Sequence, residues 1–503
     1  MELIGGLGAA FTPAVLLAIV VGSMLGLIVG VLPGIGPGVA IAVLLPTTYG
    51  MSPLAGISVL LGIYCGAFYG GAITSILIRT PGEASSIMTM FDGYPMARKG
   101  QAERALSIAF MSSFIGGVAS AVAIALAAPW IARFTGRFGA TEFAATAALA
   151  LLCIAKAYQG QFAASMMMLG LGLFIGTIGI DQTTSEHRYT FGLDALTTGV
   201  PLVPVIIGLF GVAQALILLA TRPGGPAREV PAAGINWRAF GEPFKYPGTL
   251  TKSVGLGIAI GILPAVGAAL STSLAYFEAR RSSKDPDSFG KGNPEGIVAA
   301  EAANNSNSGG AMGTVLTLGI PGDAVTAIIM GVFVVHGVYP GPQLFIERPD
   351  LANGIFGALL LINLAIMLML VLSTRYIVQF VRVPERVLGV VILALCFIGS
   401  YSVASSLYGV LLALLFGVFG WACAWLRMPV IPMALGLVMG DFLESSLRQT
   451  LTISDGSWLI FVQRPIAAGI VAVTVLMLVW PLLRRLGPAA KTPTPAGLPP
   501  AGE

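Results

Sequence analysis

The chain has 503 residues, of which 56% are hydrophobic and only 10% are charged, and its formal net charge is +4. A soluble domain carries about 25% charged residues, so the composition excludes a soluble protein, and the small net charge does not indicate nucleic acid as a partner. Apolar stretches long enough to span a bilayer, about 17–25 residues each, recur along almost the whole chain. The sequence therefore predicts an all-α, multi-pass membrane protein.

Residues that could support enzymatic chemistry are few. The four cysteines lie singly in apolar stretches, which favours small buried hydrophobic side chains, and two histidines do not suffice for a histidine-rich metal site. The sequence contains neither the Gly-Lys-Ser/Thr ending of a nucleotide-binding loop nor a Gly-x-Ser-x-Gly or His-Glu-x-x-His motif. We therefore expect no enzyme, no cofactor and no metal site.

The first elements in chain order are an apolar helix and a glycine-rich turn. Met1-Glu2 precedes the apolar stretch without a basic region or a clear cleavage site, so the first helix is expected to be retained. The segment 32–38 follows, with proline and three glycines, and is predicted to form the tip of a re-entrant hairpin.

This glycine-rich segment is part of an internal repeat. Leu32-Pro33 corresponds to Leu263-Pro264, 231 positions later, and Pro81 corresponds to Pro321, 240 positions later. The second copy gains length from a longer polar loop, residues 280–294. Such self-similarity at a regular offset predicts a duplicated structural unit.

The strongest motif of each copy is a helix break. Pro81-Gly82-Glu83 and Pro321-Gly322-Asp323 each follow an apolar run rich in small residues. In hydrocarbon such a break survives only when it is buried in protein or lines a wet cavity, and paired breaks are typical of a secondary transporter's binding site. We expect proline in the first turn of the next helix, glycine where a ligand approaches the backbone, and free N–H groups that bind a carboxylate.

Other interpretations of the breaks stay open at this point. The motif could be a kink needed for packing, and the acid that ends it could occupy a favourable first turn, bind a coupling cation or steer selectivity. If the motif binds substrate, Gly82→Leu or Gly322→Leu should abolish uptake while membrane insertion is retained.

A polar cluster precedes the second break. Residues 301–308 combine a carboxylate with amides and hydroxyls, which could bind Na⁺ and a substrate oxygen or could join helices by hydrogen bonds. Glu301 is the best candidate for a protonatable or cation-binding carboxylate, although Glu295 or Glu301 could instead lie at a cytoplasmic helix end. The predicted substrate-binding residues are Gly34, Gly36, Thr80, Pro81, Gly82, Ser308, Ile320, Pro321, Gly322 and Asp323, and the predicted ion-binding residues are Glu301, Asn304, Asn305, Ser306 and Asn307.

Charge asymmetry predicts how the copies are oriented. The loop 79–104 is basic where its counterpart 319–353 is not, and the bias reverses in the preceding loops, 47–53 and 280–294. By the positive-inside rule this pattern favours two inverted repeats, each with a re-entrant hairpin and a broken helix. A parallel duplication whose loop charges drifted is the alternative.

The predicted organisation has five parts. Residues 1–221 form the first membrane repeat, 222–247 a linker, 248–447 the second repeat, 448–486 a loop with an extra transmembrane helix, and 487–503 a disordered tail.

Several of these motifs resemble the large membrane subunit of the tripartite tricarboxylate transporter family. The resemblance lies in residues 30–37, 64–77, 81–84, 92–95, 319–323 and 340–342. It implies a multi-pass protein of the bacterial inner membrane, driven by Na⁺ or H⁺, that works with a small four-helix membrane subunit and a periplasmic substrate-binding protein. The implied substrate is a tricarboxylate, a dicarboxylate or an aromatic acid. An anion channel and a non-transporting membrane scaffold are the competing functions.

Overall fold

The computed structural model describes residues 2–32, 35–136, 138–158, 160–181, 184–221, 234–264 and 267–486. The first half contains the α-helices α1 (Glu2–Ala10), α2 (Pro13–Val31), α3 (Pro37–Leu44), α4 (Pro53–Ile78), α5 (Ile87–Arg98), α6 (Ala102–Thr135), α7 (Ala140–Ala157), α8 (Phe162–Gly176), α9 (Asp194–Thr197), α10 (Leu202–Ile206) and α11 (Ala213–Ala220). The 3₁₀ turns of this half are Leu45–Thr48 and Ala84–Ser86, and a π-helix, Ile207–Val212, joins α10 to α11. Strands β1 (Gly179–Ile180) and β2 (His187–Arg188) pair antiparallel, with Gly179 opposite Arg188.

The second half is also helical. Its α-helices are α12 (Pro247–Ile262), α13 (Ala268–Ser282), α14 (Pro294–Leu318), α15 (Ala324–Val335), α16 (Pro342–Glu347), α17 (Pro349–Ile377), α18 (Glu385–Ala404), α19 (Leu407–Trp425), α20 (Ile431–Ile453), α21 (Ile460–Gln463) and α22 (Pro465–Leu486). Its 3₁₀ turns are Trp237–Gly241, Pro243–Lys245, Pro286–Ser288 and Val378–Arg382.

The predicted fold class is confirmed. Within the described residues, 7 helices are long and apolar enough to cross a membrane, and β1 and β2 form a hairpin of only 2 residues a strand. The predicted border at residue 447 falls inside α20, which continues to Ile453. The predicted linker lies partly, and the predicted tail wholly, outside the described residues.

Two helices form the centre of the molecule. α4 has 26 residues and α14 has 25, and nearly every residue of both is buried. Because protein surrounds α14 on all sides, it carries a polar sequence, including Glu301 and Asn304, that lipid would not accept. The buried interior of the molecule therefore contains polar groups that could bind a ligand.

Each central helix is paired with the first arm of a hairpin. α2 runs parallel to α4 at very short distance: a Cβ at Gly22 would lie 2.2 Å from the carbonyl oxygen of Val59, and one at Gly30 would lie 2.3 Å from that of Ala67. Glycines four residues apart thus let the two backbones meet, as in other close-packed membrane helices.

The second copy repeats this contact. A Cβ at Gly261 of α12 would lie 2.4 Å from the carbonyl oxygen of Asn307 in α14. After each first arm the chain turns and a shorter arm returns, so that Thr48 comes back beside the start of α4 and Ser283 donates to Glu295 at the start of α14. Both tips lie beside a helix break, because Gly30 contacts Gly82 and Gly261 contacts Gly322. The orientation of the two copies across a membrane stays a prediction.

Candidate substrate and ion site

The two helix breaks have the same backbone path. α4 is followed by Arg79 and α14 by Gly319, and both residues adopt the left-handed conformation, with φ of 53° and 68°. A left-handed residue is the usual end of a helix because it frees the next residues to leave the axis. After three further residues the chain reaches Glu83 or Asp323, both extended, with φ of −145° and −147°.

The prolines do not occupy the position that the sequence suggested. The next helical turns begin at Ala84 and Ala324, three residues after Pro81 and Pro321. The expectation that the prolines lie in the first turn is therefore wrong: the residue before each turn is the acid. Proline instead lies in the extended segment, where its missing N–H removes a buried donor.

The glycine of each motif packs against protein. A Cβ at Gly82 would lie 2.2 Å from the carbonyl oxygen of Gly30 and 2.8 Å from Cα of Gly71. Gly322 packs in the same way, because a Cβ there would lie 2.5 Å from the carbonyl oxygen of Gly261. The break therefore turns back along its own helix, and glycine is required by this packing rather than by approach of a ligand.

Both breaks contribute to one cavity of about 410 Å³. Three helical starts face it: the turn after the first break, the turn after the second break, and the first residues of α13 behind the second hairpin tip. The residues that line it are Phe68, Glu83, Ala84, Ser85, Ile154, Tyr158, Gly267, Ala268, Ala269, Asp323, Ala324, Val325, Ile431 and Leu435.

The electrostatics of this cavity are mixed. The first N–H groups of a helix have no intrahelical partner, and the helix dipole adds about half a positive charge, so three helical starts favour an anion. Glu83 and Asp323 bring two carboxyl groups to the same space, and none of the described lining residues is lysine or arginine. An anionic ligand would therefore meet repulsion unless a cation or a proton neutralised a carboxylate.

Asp323 has a structural task. Its Oδ1 accepts the N–H of Thr326 at 2.7 Å, and Thr326 Oγ1 in turn accepts the N–H of Asp323 at 2.9 Å. Oδ2 of Asp323 accepts the hydroxyl of Tyr64 at 2.6 Å. This reciprocal arrangement caps α15. Asp323 therefore closes the helix start while it lines the cavity.

Glu83 makes no such cap. Its Oε1 accepts the hydroxyl of Ser85, but its side chain accepts no backbone N–H of the described turn that follows, Ala84–Ser86. The hydroxyl of Ser86, which is fully buried next to the same glycine as the Glu83 side chain, has no hydrogen-bond partner among the residues that the structure describes. The first break thus leaves a carboxyl group and a hydroxyl group less committed than their counterparts in the second break.

Glu301 lies at the centre of the predicted ion-binding cluster and is fully buried. Its Oε1 accepts the hydroxyl of Thr89 in α5 at 2.5 Å, and its Oε2 accepts that of Ser113 in α6 at 2.7 Å. Glu295, by contrast, lies in the first turn of α14. Glu301 is therefore in the interior, and of the two only Glu295 lies at the helix end.

The amides of the cluster divide into two kinds. The side-chain amides of Asn304 and Asn307 are buried without a hydrogen-bond partner in the described part of the chain. Asn305, Ser306 and Ser308 instead bond to carbonyl oxygens of their own helix, Ser308 at 2.7 Å. Because an unpaired buried amide is costly, Asn304 and Asn307 are the members best suited to a ligand.

The predicted site residues are thus distributed over several places. Of the predicted substrate-binding residues, Asp323 lines the cavity, whereas Gly82 and Gly322 pack behind it. Gly36 precedes α3 beside open space, and Gly34 lies outside the described residues. The remaining residues, Thr80, Pro81, Ile320 and Pro321 in the breaks and Ser308 in α14, are not among those that line the cavity.

Sequence reasoning missed most of the cavity wall. The residues directly after each acid, such as Ser85 and Val325, could have been found by moving the expected helix start three positions. Tyr158, directly after α7, and Leu435 of α20 carry no local signal, because they reach the cavity only by packing.

A second cavity of about 440 Å³ lies between the β-hairpin and α20. It contains two arginines, but Arg188 pairs with Glu444 at 2.8 Å and Arg448 pairs with Asp181 at 2.7 Å. Since both arginines are paired and Asp441 adds a third carboxylate, this cavity presents no unpaired cation to an anion among its described lining residues. In the part of the chain that the structure describes, no group of three or more His, Cys, Asp or Glu residues could hold a metal ion.

Comparison with known proteins identifies the family. The model of the tripartite tricarboxylate transporter TctA family matches residues 16–435. The chain is 37% identical to an uncharacterised 52.8 kDa protein in the TAR-I ttuC′ 3′ region of Agrobacterium vitis, over 96% of this chain and 97% of that protein. It is 32% identical to an uncharacterised protein in the TAR-II ttuC′ 3′ region of the same organism, over 45% of this chain and 94% of that protein. No solved structure matches. The chain therefore belongs to the tripartite tricarboxylate transporter TctA family.

Proposed function

We propose that this chain takes up a carboxylate by secondary transport, driven by a gradient of Na⁺ or H⁺. The family implies the large subunit of a tripartite transporter that works with a small membrane subunit and a periplasmic binding protein. We place the complex in the bacterial inner membrane, where the binding protein would deliver a tricarboxylate, a dicarboxylate or an aromatic acid.

The observation that carries the proposal is the cavity shared by the two breaks. Two interrupted helices from different halves of the chain, together with the start of α13, bring three helical starts to one space of about 410 Å³, and their helix dipoles favour an anion there. This is the arrangement that binds anionic groups in other transporters. Phe68, Ile154 and Leu435 add an apolar wall that could contact the carbon skeleton of an organic acid.

Coupling to a cation follows from the charge of the cavity. Glu83 and Asp323 would repel a carboxylate, so the anion binds well only after a proton or Na⁺ has neutralised part of that charge. The cation would then raise the affinity for the substrate, and the substrate would raise the affinity for the cation by the same factor.

A Na⁺ ion would bind best in the polar cluster of α14. Asn304 and Asn307 offer buried amide oxygens without partners, and Glu301 offers a buried carboxylate already oriented by two hydroxyls. Amide and carboxylate oxygens are the ligands that hard cations prefer. A proton would instead bind directly to Glu83 or Glu301.

The test is uptake by the reconstituted three-component complex. Ala84→Leu and Ala324→Leu place a larger side chain in the cavity, and we expect uptake to fall at least about tenfold, because an added side chain in a site that holds a ligand costs more than about 1.4 kcal/mol. Ala424→Leu, on an exposed face of α19, is the matched control and should transport normally.

Gradients imposed on the same vesicles then identify the coupling ion. An imposed inward Na⁺ gradient, or an imposed pH gradient, should drive accumulation that also shows counterflow. Unchanged uptake in both cavity variants would contradict the site. Flux that needs neither a binding protein nor a cation gradient would indicate a channel.

A further inference from the structure

The short helix after each break ends against the other half of the molecule. Gly296, at the start of α14, packs against Asp92 of α5, and a Cβ there would lie 2.2 Å from Asp92 Oδ2. Gly56, at the start of α4, packs against His336 at the end of α15, and a Cβ there would lie 2.6 Å from the imidazole ring. Gly56 and Gly296 are 240 positions apart, the offset that also relates the two breaks.

These contacts define two equivalent junctions. The Asp92 junction consists of Asp92, Tyr276 and the loop 290–293, and the His336 junction consists of His336, Thr48 and Gly56. The Asp92 junction joins the middle of α5 to the turn before α14, and the His336 junction joins the end of α15 to the turn before α4.

The Asp92 junction is held by a fully satisfied carboxylate. Oδ1 accepts the N–H groups of Gly290, Gly292 and Asn293 at 2.8, 2.9 and 2.8 Å, and Oδ2 accepts the hydroxyl of Tyr276 at 2.7 Å. Gly290 and Gly292 have φ of 81° and 103°, a left-handed backbone that turns successive N–H groups toward one anion. Asp92 is fully buried.

The His336 junction is much weaker. Its side-chain hydrogen bond joins Thr48 Oγ1 to Nε2 of His336 at 3.0 Å, and the imidazole is only half-buried. Charge-assisted hydrogen bonds are about twice as strong as neutral ones, and the first junction has four of them. The two copies are therefore joined firmly at one junction and loosely at the other.

The Asp92 junction lies between the cavity and one end of the molecule. The side chain of Glu83 lies beside Gly71 of α4. Gly93 of α5 lies beside Ile76, which is farther along α4. α5 therefore runs on in the direction of α4 and, with 12 residues, reaches about 18 Å beyond the cavity. It ends at the junction, where the side chain of Lys99 donates to the carbonyl oxygen of Lys291 at 2.8 Å.

The charges at this end identify the side of the membrane. Arg98, Lys99, Arg104 and Lys291 lie on the segments that meet there. Basic residues concentrate on the cytoplasmic side of membrane proteins. The end at which the two copies are firmly joined is thus the side to which an uptake system must release its substrate.

We propose that the Asp92 junction is the cytoplasmic closure of the transport cavity, and that Asp92 must leave the loop 290–293 before substrate can exit. The His336 junction is the equivalent closure on the opposite side. The direction of release rests on the proposed function, whereas the closure itself does not. Asp92 is a positioning residue, because it contacts the loop and not the cavity.

Accessibility of the cavity from each side tests this without measuring transport. Ala84→Cys, in a chain whose four native cysteines are replaced, provides a thiol in the cavity, and a membrane-impermeant maleimide is added to vesicles of either orientation. Asp92→Asn should raise the labelling rate from the cytoplasmic side at least about tenfold, because the strongest hydrogen bonds of the junction lose their charge. The matched variant Thr48→Val should raise labelling only from the opposite side.

Labelling that is unchanged in Asp92→Asn, or raised equally from both sides, would overturn the proposal. If Asp92→Asn does not fold, a reversible cross-link decides the matter. In the double variant Lys99→Cys/Lys291→Cys, a bridge formed by a short reducible bis-thiosulfonate should lower the rate of uptake at least about tenfold relative to either single variant. Reduction of the bridge should restore the rate. Full uptake by the bridged protein would show that this junction need not open.

Discussion

The two helix breaks have the same backbone but use their acids differently. In the second break Asp323 caps α15 and accepts the hydroxyl of Tyr64. In the first break Glu83 caps nothing and accepts only from Ser85 within its own turn. The longer glutamate side chain reaches past the N–H groups that the shorter aspartate can cap. One duplicated backbone therefore carries one structural carboxylate and one that is available to a ligand.

The central helices show the same division. α4 is apolar, with Tyr64 and Tyr69 both engaged by the second half of the chain, at Asp323 and Asn363. α14 holds the buried amides without partners. The two halves thus share the packing of small residues and differ in their polar groups.

The largest expected effect on stability comes from substituting the motif glycines, whose close packing the two breaks share. Gly82→Ala and Gly322→Ala each place a Cβ within 2.2 and 2.5 Å of a carbonyl oxygen. We expect each to lower the free energy of unfolding by about 3 kcal/mol, because backbone must move to accept the methyl group. Unfolding in mixed SDS micelles measures this, with Gly5→Ala, which meets nothing within 4 Å, as the control.

This result would also revise the expectation for Gly82→Leu and Gly322→Leu. Loss of uptake in those variants would report loss of fold and would carry no information on binding. If either alanine variant is as stable as Gly5→Ala, the close contact at that break is not required.

A smaller effect would separate the breaks. Asp323→Ala removes a helix cap and a partner of Tyr64, and should cost about 2 kcal/mol of stability. Tyr64→Phe removes only one of these bonds and should cost about 1 kcal/mol. The same SDS titration measures both. Equal costs for Asp323→Ala and Glu83→Ala would remove the distinction between the two acids.

The smallest effect on stability is expected at the first break. Glu83→Gln keeps an acceptor for Ser85 and should change the free energy of unfolding by less than about 0.5 kcal/mol. Its effect should appear in transport: uptake should lose its dependence on a proton gradient if Glu83 carries the proton, because the amide cannot be protonated. Glu301→Gln is the matched variant in the α14 cluster. Wild-type gradient dependence in both would exclude a proton at either position.

The sequence by itself determined the class of the protein and the position of both breaks, and it predicted a duplication. These features are local: apolar run length, glycine spacing, and a Pro-Gly pair that no membrane helix continues through unchanged. The polar residues of α14, such as Asn304 and Asn307, gave a further local signal, because amides are costly where they face lipid.

Only the tertiary structure decided which groups meet. It moved the helix starts to Ala84 and Ala324, turned the motif glycines toward neighbouring backbone, and brought Tyr158 and Leu435 to the cavity wall. It also placed Asp92 of α5 against the loop 290–293, which lies about two hundred residues later in the chain. Such contacts depend on how helices pack over long sequence separations, and no local pattern of residues records that packing.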